Sequence, residues 1–254
     1  MLFDHIFAVL LLAGLPLYAQ ALFHWLERRA GRGHPEPRLG VYRIGIVVQW
    51  LLVTVVAARW WGEARPWTDL GLGRPAPGST PWSLGALFAV AAVAVRIWNH
   101  VLTDPAARAQ VLGQFAAIED LLPRTRRERD HAALVALTAG FCEELLFRGF
   151  LFWWLRLWLP ELPAMGLVAL AFGLCHLYQG WTGVLKTAGV GAALGAVVLL
   201  TDALWLAIAL HAFLDWNSLG LAHALLAGDG RDEGGFADQA PLPTEGEFED
   251  EGWG

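Results

Sequence analysis

The stretch Gly-Phe-Cys-Glu-Glu-Leu-Leu-Phe-Arg-Gly, residues 140–149, lies inside an apolar run that extends from Ala132 to Leu159. A run of that length suits a membrane-crossing helix, for which about 20 residues suffice. An ionisable group in hydrocarbon costs about 2.5 to 3.5 kcal/mol even on the lenient insertion scale. Glu143, Glu144 and Arg148 therefore need a reason to be there. On a helix Glu144 and Arg148 are four apart and share a face, so they can form a charge-assisted pair that lowers the insertion cost of both. Glu143 points roughly 100° away and is left free. The spacing thus predicts one acid held by an arginine and a second acid available for chemistry.

Outward from this stretch the chain repeats the same apolar character. Of its 254 residues 56% are hydrophobic and 17% charged, and the mean hydropathy is +0.45, which excludes an ordinary soluble globule. Seven runs are candidate spans: Ile6 to Trp25, about Ile44 to Trp61, about Trp82 to Leu102, Ala132 to Leu159, Ala164 to Tyr178, Val184 to Leu200 and Ala203 to Leu226. Asp4, in place of a basic flank, marks the first as a retained helix instead of a cleaved signal peptide. The predicted fold class is all-α, a polytopic membrane bundle of about seven helices. An amphipathic helix over Ala106 to Leu122, with Val111, Phe115, Ile118 and Leu122 at helical intervals, is expected at the membrane interface.

Arginine distribution sets the orientation. Arg28, Arg29, Arg32 and Arg38 follow the first run, and Arg108, Arg124, Arg126, Arg127 and Arg129 follow the third, so both segments are expected in the cytoplasm with the N-terminus outside. Tryptophans near the predicted helix ends, among them Trp60, Trp61, Trp153, Trp154 and Trp158, read as interfacial anchors. The last 26 residues, from Asp229, hold nine of the 24 acids and one of the 18 basic residues. The body is then near neutral, and nucleic acid is not an expected partner. Residues 228–254 read as a disordered acidic tail, after N-terminal helices and a connection over 1–130 and a catalytic membrane core over 131–227. Seventeen of the 18 basic residues are Arg, a bias that with the abundant Gly and Ala suggests a bacterial source and hence the cytoplasmic membrane.

Two further runs carry polar groups. The fifth contains Phe172-Gly-Leu-Cys-His176 and the seventh His211-Ala-Phe-Leu-Asp215. In each, the first and last residues are four apart, so Phe172 is expected beside His176, and Asp215 is expected to accept a hydrogen bond from His211. Water held between Glu143 and His176 would lose a proton to them, as hydrolysis inside a membrane requires. Glu143, His176 and His211 also form a two-His, one-carboxylate set of the kind that holds zinc with an open position for water. No His-Glu-x-x-His spacing preassembles such a site. Cys142 and Cys175 point away from their acid and imidazole neighbours and read as apolar filler, and Arg96 and His100 as snorkelling to the interface. Gly189, Gly191 and Gly195 are expected to permit close helix packing.

The ordered set Glu-Glu-x-x-x-Arg, Phe-x-x-x-His and His-x-x-x-Asn/Asp, here Glu143-Glu144-Leu-Leu-Phe-Arg148, Phe172-Gly-Leu-Cys-His176 and His211-Ala-Phe-Leu-Asp215, resembles the CAAX-protease and bacteriocin-processing (CPBP, or Abi) family of intramembrane proteases. The resemblance covers roughly Ala132 to Leu219. It implies an endopeptidase acting on a membrane-associated or lipidated protein within the bilayer, with Glu143 and His176 activating water, Glu144 and Arg148 orienting the site, and His211 with residue 215 stabilising the oxyanion. A glutamate mechanism without a cofactor is favoured, although the family is often described as metalloproteases, with zinc on Glu143, His176 and His211 as the alternative. Asp215 departs from the frequent Asn: an ionised Asp cannot donate to an oxyanion, which leaves that role to His211. Two other classes fit the buried polar groups, a non-catalytic scaffold or immunity protein of the same fold and a transporter. The absence of inverted repeats weighs against the transporter.

Overall fold

The computed structural model describes residues 1–34 and 36–229, and these form helices joined by short connections, with no strand among them. Eight helices follow in order: α1 (Leu2–Gly31), α2 (Pro37–Gly62), α3 (Ser79–Thr103), α4 (Pro105–Phe115), α5 (126–156), α6 (Glu161–Leu174), α7 (Gly180–Thr201) and α8 (Trp205–Asp229). The acidic tail from residue 230 onward lies outside the described residues. Four helices, α1, α2, α3 and the 177–201 segment containing α7, are long and apolar enough to cross a membrane by length and composition, and α6 is a shorter apolar helix. Each of the seven apolar runs centres on one helix, and the fourth, fifth and seventh extend past the helix ends. Helices α5 and α8 are not among the four by that measure, and they are the two whose apolar character the site residues interrupt.

Local chemistry sets the boundaries. Pro37 and Pro105 sit in first turns, where a missing N–H costs nothing. Asp104 caps α4 by accepting from the backbone N–H groups of Ala106 (2.8 Å) and Ala107 (3.4 Å). Thr125 and Glu128 form a reciprocal capping box at the start of α5. The amphipathic helix expected over Ala106 to Leu122 instead ends at Phe115 and passes into a 3-10 segment, Ala116–Leu121. Pro123 explains why no helix reaches Leu122: the residue before a proline is driven to extended backbone, and Leu122 has φ −75° and ψ 140°. Val111 and Leu112 pack back against Val101, Leu221 and Leu225 of α3 and α8, which ties α4 to the bundle.

The two Arg-rich segments meet at one end of the bundle, where Arg127 pairs with Glu36 at 2.8 Å and Tyr42 donates to the Leu121 carbonyl at 2.5 Å. At the other end Asp4 is fully buried and takes both arms of Arg65 at 3.0 Å. The guanidinium of Arg65 lies over the rings of Trp60 and Trp153, 4.8 Å from each centroid. Trp60 departs from the expected anchoring role: it is fully buried, donates to the Pro66 carbonyl at 2.9 Å and packs edge-on to Trp153. Trp61 and Trp158, by contrast, are exposed as anchors should be.

Glycines bring the site helices together. A Cβ on Gly140 of α5 would fall 2.6 to 2.8 Å from the Cβ, N and Cα of Ala212 on α8, and one on Gly173 would fall 2.7 Å from the Val184 carbonyl on α7. Gly195 faces Met165 with the same closeness, and Gly191 faces Phe172 and Arg148. Gly189, expected with them, faces open space.

Candidate active site

Helix α5 is not uniform. It is α-helical over Arg126–Glu143, π-helical over Glu144–Leu151 and α-helical again over Phe152–Arg156. Wide turns of this kind are rare and recur at functional sites. Here the change of winding falls between the two acids, so Glu143 closes the α segment and Glu144 and Arg148 lie on the π segment.

Glu144 and Arg148 are both buried, and Nη1 of Arg148 donates to Oε1 of Glu144 at 2.5 Å, as their spacing predicts. The arginine has two further partners. Its Nη2 donates to the Gly191 carbonyl at 3.1 Å, and its guanidinium lies 4.5 Å from the Phe172 ring centroid. A side chain at Gly191 would crowd both Arg148 and Phe172, so this glycine lets the α7 backbone reach the arginine.

His211 joins the same pair. Its Nδ1 lies 2.7 Å from Oε1 of Glu144, an oxygen that already accepts from Arg148, so Nδ1 carries the proton and donates. Nε2 then faces two other carboxylates, Oε2 of Glu143 at 3.8 Å and Oδ2 of Asp215 at 3.6 Å. The expected Asp215 contact is thus present, but it is looser, 3.6 Å against 2.7 Å for Glu144. Asp215 has a half-exposed side chain, whereas Glu144, delivered by another helix, is buried and makes the shorter bond to the ring. The Phe172 ring closes one face of His211, edge-on at 5.7 Å.

His176 does not lie within α6, as the apolar run to Tyr178 suggested; the helix ends at Leu174 and His176 occupies the turn after it. Helix ends leave carbonyls without backbone partners, and Nδ1 of His176 donates to one of them, the Phe172 oxygen, at 2.9 Å. That bond fixes the tautomer and leaves Nε2 as the basic nitrogen. Phe172 lies beside His176 with centroids 5.1 Å apart, as the four-residue spacing predicts.

Glu143 and His176 line one cavity of about 160 Å³, walled largely by apolar side chains of α1, α2 and α5, including Leu22, Phe23, Val48, Leu52 and Phe147. Tyr18, Gln49 and Tyr178 add the polar lining. Nε2 of Gln49 donates to Oε1 of Glu143 at 3.0 Å. Sequence reasoning missed Gln49, Tyr18 and Tyr178. The available signal was a lone amide and a lone phenol inside otherwise apolar runs. Cys142 and Cys175 are buried and unpaired, and Cys175 contributes to the cavity wall. Arg96 and His100 are exposed on α3. Among the described residues no group of three His, Cys, Asp or Glu side chains is placed to hold a metal ion.

Residues 131–217 match the family described as type II CAAX prenyl endopeptidase, Rce1-like. No curated protein and no solved structure matches the chain. The match begins six residues into α5 and ends in α8, and it encloses all three motif elements while leaving α1 to α4 outside. By that match the segment carrying the site is similar to the CAAX-type proteases, and the apolar helices around it mark an integral membrane protein.

Proposed function

We propose that the protein is an intramembrane endopeptidase that hydrolyses a peptide bond of a lipidated or otherwise membrane-associated protein. The observation that carries this reading is the opening of Glu143 and His176 onto one cavity with mainly apolar walls. Its volume of about 160 Å³ has room for a water beside a small apolar group. Apolar walls lower the local dielectric and strengthen the electrostatics of the groups that face them.

In the proposed reaction Glu143 takes a proton from water, with Nε2 of His176 as a second acceptor. The resulting hydroxide attacks the peptide carbonyl. The proton held by Glu143 passes to the departing amine, so that one water, added across the C–N bond, yields an acid and an amine. His211 is the donor to the developing oxyanion. Donation from Nε2 requires the doubly protonated ring, and the carboxylates of Glu143 and Glu144 face it to balance that charge. Glu144 and Arg148 fix the ring and do not react.

The same reading places seven helices across the bilayer, α1, α2, α3, α5, α6, α7 and α8, with the Arg-rich end in the cytoplasm. The test uses purified full-length protein and a farnesylated peptide ending in a CAAX tetrapeptide. Glu143→Gln and His176→Ala are each expected to lower kcat/KM by about 100-fold or more, the usual scale for a general base, and chelation is expected to leave the rate unchanged. Full activity of Glu143→Gln would favour a non-catalytic scaffold. Loss on chelation with restoration by zinc would replace the carboxylate mechanism with a metal one.

A further inference from the structure

Gln49 sits on α2, outside the segment that matches the family, yet its amide reaches the acid on which the proposed chemistry depends. Val41, Gly45, Val48, Gln49 and Leu52 recur at helical spacing and line the cavity together, so this face of α2 is one wall of the site. Gln49 is the polar residue of that wall. Its Nε2 donates to Oε1 of Glu143 at 3.0 Å, while its own Oε1 is buried with no partner in the protein. An amide that served packing alone would leave no buried carbonyl unpaired, and a leucine would fit an apolar wall without that cost. The carboxylate partner explains the orientation: a carboxylate accepts only, so the NH₂ turns toward it and the carbonyl turns away.

We propose that Gln49 is a positioning residue for Glu143. With Oε1 held by the α2 amide, Oε2 is the oxygen left toward His211 Nε2, 3.8 Å away. The carboxylate is thereby kept from rotating onto Nε2 as a simple ion pair, and one oxygen stays in place for water. Glu144 lacks this freedom because Arg148 and His211 both hold its Oε1. The two adjacent acids thus differ by the helices that hold them: Glu144 is fixed by α8 and its own helix, and Glu143 by α2.

This inference rests on Glu143 being the base, and the experiment separates the two. Gln49→Met keeps the shape and removes the donor; with the farnesylated CAAX peptide, kcat is expected to fall about 10-fold, the scale of one charge-assisted hydrogen bond, with KM within twofold and the melting temperature in detergent not lowered. An unchanged kcat in Gln49→Met, beside an inactive Glu143→Gln, overturns the role of Gln49 alone. An active Glu143→Gln overturns the base itself and Gln49 with it. Gln49→Glu is the second variant, for the case in which Gln49→Met does not fold: its side chain donates to Glu143 only when protonated, so its kcat relative to the native protein is expected to fall as pH rises. A ratio that stays flat across pH overturns the proposal.

Discussion

At the scale of single residues, two adjacent acids share a chain position and almost nothing else. Glu144 is buried and spends one oxygen on both Arg148 and His211, while Glu143 opens onto a cavity and meets Gln49. Their division into a fixed and a free acid follows from the four-residue spacing of Glu144 and Arg148, which chain position alone dictates. The holder of His211 was not legible in the same way. A ladder of four along α8 pointed to Asp215, but a shorter bond arrives from α5, and only the crossing of the two helices creates it. The consequence is testable at residue 215. Asp215 lies 3.6 Å from Nε2 of His211 and is half exposed, a looser contact than the Glu144 bond at 2.7 Å, and Asn at this position would add an N–H donor toward the proposed oxyanion. Asp215→Asn is therefore expected to leave kcat unchanged or raise it up to about 10-fold, the scale of one donor hydrogen bond. Steady-state cleavage of the farnesylated peptide measures this, and a large fall in kcat would make the carboxylate itself necessary.

At the scale of elements, the closeness of α5 and α8 determines whether the acids and His211 meet. Gly140 lies one residue short of a full turn before Glu143, and Ala212 follows His211 directly. A Cβ at 140 would stand 2.6 to 2.8 Å from Ala212 backbone and side-chain atoms, so any larger residue must push the helices apart. Gly140→Leu is expected to cost about 1 to 3 kcal/mol, the usual range for overpacking, and to remove most activity because Glu144 can no longer reach His211. Thermal unfolding in detergent and cleavage, measured together, check it; native stability and activity would show that the crossing tolerates displacement. Gly191 and Gly195 were legible as packing positions from their four-residue spacing. Gly140 and Gly173 were not, since a single glycine in a span has no period to announce it. The π segment over Glu144–Leu151 was equally silent, because its winding leaves the apolar pattern intact. His176 shows the converse case: its separation from Phe172 was read as helical, and the contact survives even though the helix ends first, because the imidazole caps the open carbonyl.

For the whole molecule, the two ends of the bundle differ in charge and composition. Arg127 with Glu36 and Arg38 beside Glu128 join the loop after α1 to the connection before α5, and this end carries most of the arginines. The opposite end holds the buried Asp4 and Arg65 pair and the Trp60 and Trp153 rings. Arginine excess marks the cytoplasmic side, so a reporter fused after Gly228 is expected to be active in the cytoplasm, and one inserted between residues 63 and 78 in the periplasm. The reverse pattern would invert the topology and move the mouth of the site to the other face.

The sequence by itself determined that this is a helical membrane protein and singled out its candidate site residues, because apolar length and the cost of charge in lipid are one-dimensional facts: they depend on which residues follow one another. It also paired Glu144 with Arg148 and Phe172 with His176, contacts made within four residues. Only the tertiary structure decided that Glu144 holds His211, that α2 sends Gln49 to Glu143, that Trp60 is core instead of anchor, and that α1 and α2 wall the cavity. Each of these depends on how helices cross, and a crossing joins residues far apart in the chain, which the order of residues along one helix does not encode.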